Sequence, residues 1–184
     1  MPRLLLVRHT EVAKRWTGHC YGKLDVGLSR KGRAHITKVI ENLAAFPIDL
    51  IIHSDLQRTR ILALKLSKQR NIPCDTNQMW QERDFGNWEG KSWHHIYKKT
   101  GDAMDGMITA PTTFRPGGGE TTEDLRTRTL AALKSLPKGK TIAVITHGGP
   151  IAAVLGTLGN HPVAHWPKLV PKLGSVQNLG SVQI

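Results

Sequence analysis

Residues able to capture and attack an oxyanion stand at three separated points of this 184-residue sequence. Arg8-His9-Thr10 follows the apolar run Leu4 to Val7. His53, Ser54 and Arg58 follow Leu50-Ile51-Ile52, and Thr146-His147-Gly148-Gly149 follows Thr141 to Ile145. An imidazole supplies a nucleophile or base near neutrality, and a guanidinium supplies paired donors to a tetrahedral anion. Amides at the start of a helix add further donors. Taken singly, Arg8-His9 reads equally well as a strand end that turns polar, and His147 as a buried core histidine. Arg58 is odder, because a cation in the first turn of a helix opposes the helix dipole unless it faces an anion. Two histidines and two arginines arriving together from distant positions point to an anion-binding catalytic pocket.

The elements that must position these residues can be read from periodicity. Leu4 to Val7, Leu50 to Ile52 and Thr141 to Ile145 are short apolar runs without polar alternation, the pattern of strands buried on both faces. Ile36, Val39, Ile40, Leu43 and Ala44 recur at helical spacing after Leu28-Ser29, and Pro47 closes that helix. Ser54-Asp55-Leu56-Gln57 has the form of a capping box before a helix carrying Ile61, Leu62, Leu64 and Leu66. An irregular stretch from Pro73 to Gly90 precedes a helix near Ser92 to Lys99 and a Pro/Gly-rich loop from Pro111 to Gly119. Thr121 caps a further helix reaching about Leu136, and Pro150 suits the first turn of the helix after the third strand. Alternating strands and helices predict an α/β fold with a mostly parallel central sheet, and one domain over residues 1–184. Ligands of such sheets lie at the carboxyl ends of the strands, where all three polar clusters fall. Leu173-Gly174-Ser175-Val176-Gln177 is repeated at Leu179 to Gln183, and two edge strands are expected there.

Composition excludes several alternatives. The chain has 26 Lys+Arg against 14 Asp+Glu, a net charge of +12. The basic residues are scattered, aromatic residues are 5%, and no helix-turn-helix, zinc-finger or RNP signature accompanies them. This speaks against nucleic acid as the main partner and for attraction of a small anionic substrate. No charged residue occurs from Thr141 to Pro167, but His147, Gly148-Gly149-Pro150 and Asn160-His161-Pro162 interrupt the run, so no membrane span is expected. Cys20 and Cys74 make no disulfide framework and read as free thiols in a reducing cytoplasm. His94-His95 and His161-x-x-x-His165 lack a metal-ligand pattern, so neither a metal nor a cofactor is expected. Oligomeric state leaves no trace in the sequence.

Six motifs in order carry a family likeness: Arg8-His9-Thr10; Tyr21-Gly22-x-x-Asp25-Val26-x-Leu28-Ser29; Ser54-Asp55-Leu56-x-Arg58; Glu82-x-Asp84-Phe85-Gly86-x-Trp88-Glu89-Gly90; Gly118-Gly119-Glu120-Thr121; and Thr146-His147-Gly148-Gly149. Over residues 3 to about 155 the chain resembles the histidine phosphatase superfamily, which includes phosphoglycerate mutases, fructose-bisphosphatases and α-ribazole phosphatases. The resemblance implies a three-layer α/β/α fold and phosphoryl transfer through a phosphohistidine. It makes His9 the nucleophile and Arg8, Arg58 and His147 the phosphate pocket, with Tyr21, Gly22 and Gly148 as further substrate contacts. It also makes Glu82 the proton donor, a role for which spacing alone leaves Asp84 and Glu89 equally open. Two positions depart from the family pattern. Thr10 replaces the usual glycine, and Arg15 replaces an asparagine that contributes a minor phosphate contact.

The chemistry implied is self-consistent. A neutral imidazole attacks phosphorus and splits one hard step into two easier ones. Arginines stabilise the equatorial oxygens of a loose transition state, and a carboxylic acid protonates the leaving alkoxide. The short chain, Thr10 and Cys20-Tyr21-Gly22 look most like the α-ribazole phosphatase branch, which acts late in cobalamin synthesis. A broad small-molecule or sugar phosphatase, or a mutase, is the alternative, and a basic module for phospholigands or nucleic acid a more remote one. Trp16 and Tyr21 are candidate rim residues for an aromatic leaving group, while Trp80, Trp88 and Trp93 read as packing residues.

Overall fold

The computed structural model describes residues 1–183. Five strands form one sheet in the order β3-β2-β4-β1-β5, with β1 Arg3–Arg8, β2 Leu50–His53, β3 Cys74–Thr76, β4 Thr141–Thr146 and β5 Val176–Ser181. The first four run parallel, and β5 pairs antiparallel to β1. The apolar runs are continuous because each central strand feeds two cores. Leu5, Val7, Ile51, Ala143 and Ile145 pack on one side with Ile36, Val39, Ile40, Leu62 and Leu66. Leu4, Leu6, Leu50, Ile52, Ile142 and Val144 pack on the other with Trp80, Ala132, Leu133, Ile151 and Val154. Helices α1 (Arg30–Leu43) and α2 (Gln57–Arg70) cover the first face, and α5 (Thr122–Lys134) and α6 (Gly148–Leu158) the second. The result is the expected three-layer α/β/α arrangement. Of the short helices α3 (Trp93–Thr100), α4 (Gly106–Thr109) and α7 (Trp166–Leu169), α3 packs Ile96 against Cys20 and Trp88, and α7 packs Trp166 against Ala152 and Ala153 of α6.

β1 and β4 are neighbours, yet the chain leaves them toward opposite faces, to α1 and to α6. That divergence opens a crevice at their carboxyl ends, where loops can converge.

Three local expectations need correction. Ser54 does not cap α2. The N-cap is Leu56 without a side-chain bond, and Ser54 Oγ is instead taken by Thr59 and His147. Asp55 sits at φ 70°, which turns the chain between the strand and the helix. The stretch after Pro73 is mostly irregular, but Cys74–Thr76 pairs with Ile51–His53 as a short edge strand. The repeated tail makes one strand, not two: Val176–Ser181 lies along the whole of β1, with a bulge between Leu4 and Leu5. Its two glycines, Gly174 and Gly180, take φ of 73° and 62° at the two ends of that pairing. Thr121, by contrast, caps α5 as anticipated, in a full capping box with Asp124.

Candidate active site

His9 follows β1 directly and is buried, as is His147 after β4; their rings lie 5.3 Å apart between centroids. His9 Nδ1 faces the carbonyl oxygen of Thr10 at 2.7 Å. A carbonyl only accepts, so Nδ1 carries the proton and Nε2 keeps its lone pair. Burial, and then the positive charge of Arg58 and Arg8, drive the His9 pKa down to about 3. The imidazole is therefore neutral through the physiological range, the form a nucleophile requires.

His147 is fixed in the opposite tautomer. Its Nδ1 accepts from Arg58 Nε at 3.2 Å, so Nε2–H donates to Ser54 Oγ at 2.7 Å. Ser54 in turn meets Thr59 Oγ1 at 2.9 Å, and Thr59 donates to the Leu56 carbonyl at 2.7 Å. Burial and the charge of Arg58 also hold His147 well below the ordinary histidine range. Ser54 is the functional neighbour that sequence reasoning misplaced; its position at the end of a buried strand, beside His53, was the available signal. His53 itself bonds locally, with Nδ1 accepting from the Asp55 amide at 3.0 Å.

Arg58 is fully buried and reaches the site from the second residue of α2. Nη2 donates to the Gly22 carbonyl at 2.6 Å and Nη1 to that of Leu24 at 2.7 Å, while the guanidinium lies 5.2 Å from the centre of the Tyr21 ring. Burial lowers its pKa, and no carboxylate lies within 4 Å of it among the described residues. A guanidinium taken out of water without a counter-charge is costly, and a bound anion relieves that cost. Arg8 is arranged alike: Nη1 donates to the Pro171 carbonyl at 2.6 Å, and its buried Nε has no partner. Gly22, at φ 31°, has no room for a side chain, since a Cβ there would run into the Glu89 carboxylate. Tyr21 and Gly22 thus touch the pocket by holding Arg58.

Glu82 stands apart from its two acidic neighbours. Its carboxylate accepts from the Arg83 amide and from the Gly149 amide at the start of α6. Asp84 instead accepts from the Gly86 amide, and Glu89 from the amides of Lys23 and Phe85, bracing their own loop. Gly148 opens α6 beside the Arg8 guanidinium. The packing reading of the tryptophans fits: Trp80 is fully buried, and Trp88 packs with Cys20 and Ile96. Trp16 stacks edge-on with His19 and lies under Arg15, the replacement for the family asparagine. His94, His95, His161 and His165 are exposed, and burial pushes the free Cys20 thiol up to about 12. No helix among the described residues is long and apolar enough to cross a membrane.

A mostly parallel sheet with a neutral histidine, a buried arginine and a half-buried one at its switch point, neither arginine facing a carboxylate, defines an α/β enzyme for a tetrahedral oxyanion. Comparison narrows the class. The chain belongs to the histidine phosphatase superfamily, branch 1, whose family model matches residues 4–181. Glucosyl-3-phosphoglycerate phosphatase of Mycobacterium tuberculosis is 30% identical over 180 residues, covering 91% of this chain and 79% of that protein. Bacillus stearothermophilus YhfR superposes with a TM-score of 0.85 at 27% identity, over 96% of this chain and 89% of that one. The α-ribazole phosphatase of Shigella flexneri superposes with a TM-score of 0.81 over 95% of this chain and 88% of that one. Its identity is 20%, a likeness of fold.

Proposed function

We propose that the protein, as one catalytic domain over residues 1–184, hydrolyses small-molecule phosphomonoesters through a phosphohistidine on His9. The observation that carries this reading is the His9 tautomer: the Thr10 carbonyl holds Nδ1–H, which leaves Nε2 as a free lone pair between Arg8 and Arg58. Nε2 attacks phosphorus as the bond to the alcohol oxygen breaks, and Glu82 gives that oxygen its proton. Glu82, now a carboxylate, takes a proton from water as the water attacks phosphorus, releasing orthophosphate and restoring His9. Arg8 and Arg58 hold the non-bridging oxygens, the Gly148 amide adds a donor, and His147, Tyr21 and Gly22 act through Arg58. Every charge in this scheme is met by a side chain or amide, so no step calls for a metal.

Thr10 and Cys20-Tyr21-Gly22 support α-ribazole 5′-phosphate as the substrate. The 30% identity to the mycobacterial enzyme supports glucosyl-3-phosphoglycerate as the second reading. Acid-sensitive, base-stable phosphate on His9 after quenching during turnover, absent from His9→Ala, is the expected result, with turnover retained in EDTA. Full activity of His9→Ala would overturn the mechanism. Comparing kcat/KM for the two named esters, 3-phosphoglycerate and a sugar phosphate decides the substrate, and measurable mutase activity would exclude both.

A further inference from the structure

We propose that an apolar cavity of about 220 Å³ beside Glu82 is the subsite for the alcohol half of the substrate, and that it takes an apolar, ring-bearing alcohol. This rests on the phosphohistidine reading above and adds the chemical class of the leaving group. Met107 and Ile108 of α4, Leu125 of α5, Ala152 of α6, Trp166 of α7 and Val170 form most of the wall. Its side-chain polar groups are Arg83, Thr122 and the Trp166 indole; Arg83 donates to Thr122 at 3.1 Å, the Thr122 hydroxyl donates to the Met107 carbonyl at 2.6 Å, and Trp166 Nε1 donates to the His161 carbonyl at 3.1 Å. A polar group carried in among such walls finds few partners, whereas a ring, including the aromatic ring of a nucleoside-like alcohol, buries apolar surface on both sides.

Two glycines tie the cavity to the reacting atoms. Gly149 lines it and donates its amide to Glu82, and a Cβ built on Gly149 would clash with that carboxylate and stand 3.3 Å from Leu125 Cδ2. A Cβ built on Gly148 would stand 2.9 Å from Val170 Cγ1 and 3.4 Å from the Arg8 guanidinium. Leu125 and Val170 are thus the cavity walls next to the acid and the phosphate clamp. The group that a leaving-group acid faces is the alcohol, and the cavity shares Gly149 with that acid, which assigns it to the alcohol rather than to the phosphate. Energy from burying a remote ring can then be used to orient the phosphate.

The test compares 2-phenylethyl phosphate with ethyl phosphate, whose alcohols are both simple alkanols and make similar demands on Glu82. The expected kcat/KM ratio is about tenfold or more in favour of the ring, the worth of a filled apolar pocket. Ile108→Trp fills the cavity from α4, away from the catalytic groups. It should remove most of that ratio by lowering kcat/KM for the ring-bearing ester. Should the added indole displace α4, the unsubstituted protein still decides the matter: 2-phenylethylphosphonate should inhibit about tenfold more tightly than ethylphosphonate. Equal kcat/KM values and equal inhibition constants would overturn the subsite and leave the phosphohistidine chemistry standing. No turnover of either ester, with no label on His9, would overturn both.

Discussion

The Gly149 amide lies 3.2 Å from both carboxylate oxygens of Glu82, and the Arg83 amide lies 2.8 Å from one of them. Glu82 is thereby anchored from two backbone directions at the first turn of α6, where partial positive charge from the helix also attracts it. The residue offered as the proton donor is held by the same helix that follows His147. A change at either anchor therefore reaches the leaving group without touching the phosphate clamp.

Glu82→Gln should separate substrates by how much they need a proton. Turnover of an alkyl phosphate should fall about 10²–10⁴-fold, the usual worth of a general acid, while an aryl phosphate should lose far less. Gly149→Ala should reproduce the pattern in milder form, because its methyl group collides with the carboxylate. Steady-state kinetics on both esters checks this, and equal losses would assign Glu82 a structural role.

Ser54→Ala removes the acceptor of His147 Nε2–H and leaves a buried donor unpaired. The expected cost is about 1–3 kcal/mol of folding stability, with a drop in kcat as His147 loses its fixed orientation. Urea unfolding reads the first and turnover the second. Had Ser54 been a helix cap, stability would fall and kcat per folded molecule would not.

Acid should destabilise the fold through His9. Its pKa is about 3 in the folded protein against 6.5 ordinarily, so the unfolded chain binds more protons between those values. Stability from keeping His9 neutral is complete above about pH 6.5 and is lost as pH falls toward 3, by about 5 kcal/mol at most. His147 is shifted in the same direction. His9→Asn should therefore flatten, not abolish, the fall in denaturant midpoint between pH 7 and pH 5. Parallel curves for the two proteins would contradict the buried neutral imidazole.

The sheet was legible because strands buried on both faces must be apolar without a break, as Leu4 to Val7 and Ile142 to Ile145 are. The pocket histidines and arginines were legible because polar residues follow those runs immediately. What failed was local chemistry overruled by tertiary partners. Ser54 reads as a cap in its own segment, but a histidine 93 residues away claims its hydroxyl. Helix α4 and the cavity it lines were invisible, since Gly106–Thr109 has too few residues for any periodicity to show. The single tail strand was misjudged because a repeat suggests two equal elements, whereas a bulge lets one strand carry both copies.

That tail has a consequence for how His9 is seated. The Gly174 amide points at the carbonyls of Arg8 and His9, at 3.2 and 3.1 Å, and the Arg8 amide donates to Ser175, so the first Gly-Ser pair clasps the catalytic end of β1. The second pair, Gly180-Ser181, lies opposite Leu4 and Arg3 at the other end. The copies are six residues apart, an even offset, so sliding β5 by one repeat keeps each side chain on its own face. It would also offer His9 an identical Gly-Ser clasp, with a second left-handed glycine. Chemistry at the clasp therefore cannot discriminate the correct alignment from the displaced one. The observed alignment is held instead by the bulge at Leu4/Leu5 and by Leu179 and Val182, which pack in the far core, with the Val182 amide on the Pro2 carbonyl at 3.0 Å. Packing at the opposite end of the strand from His9 thus contributes to how His9 itself is held.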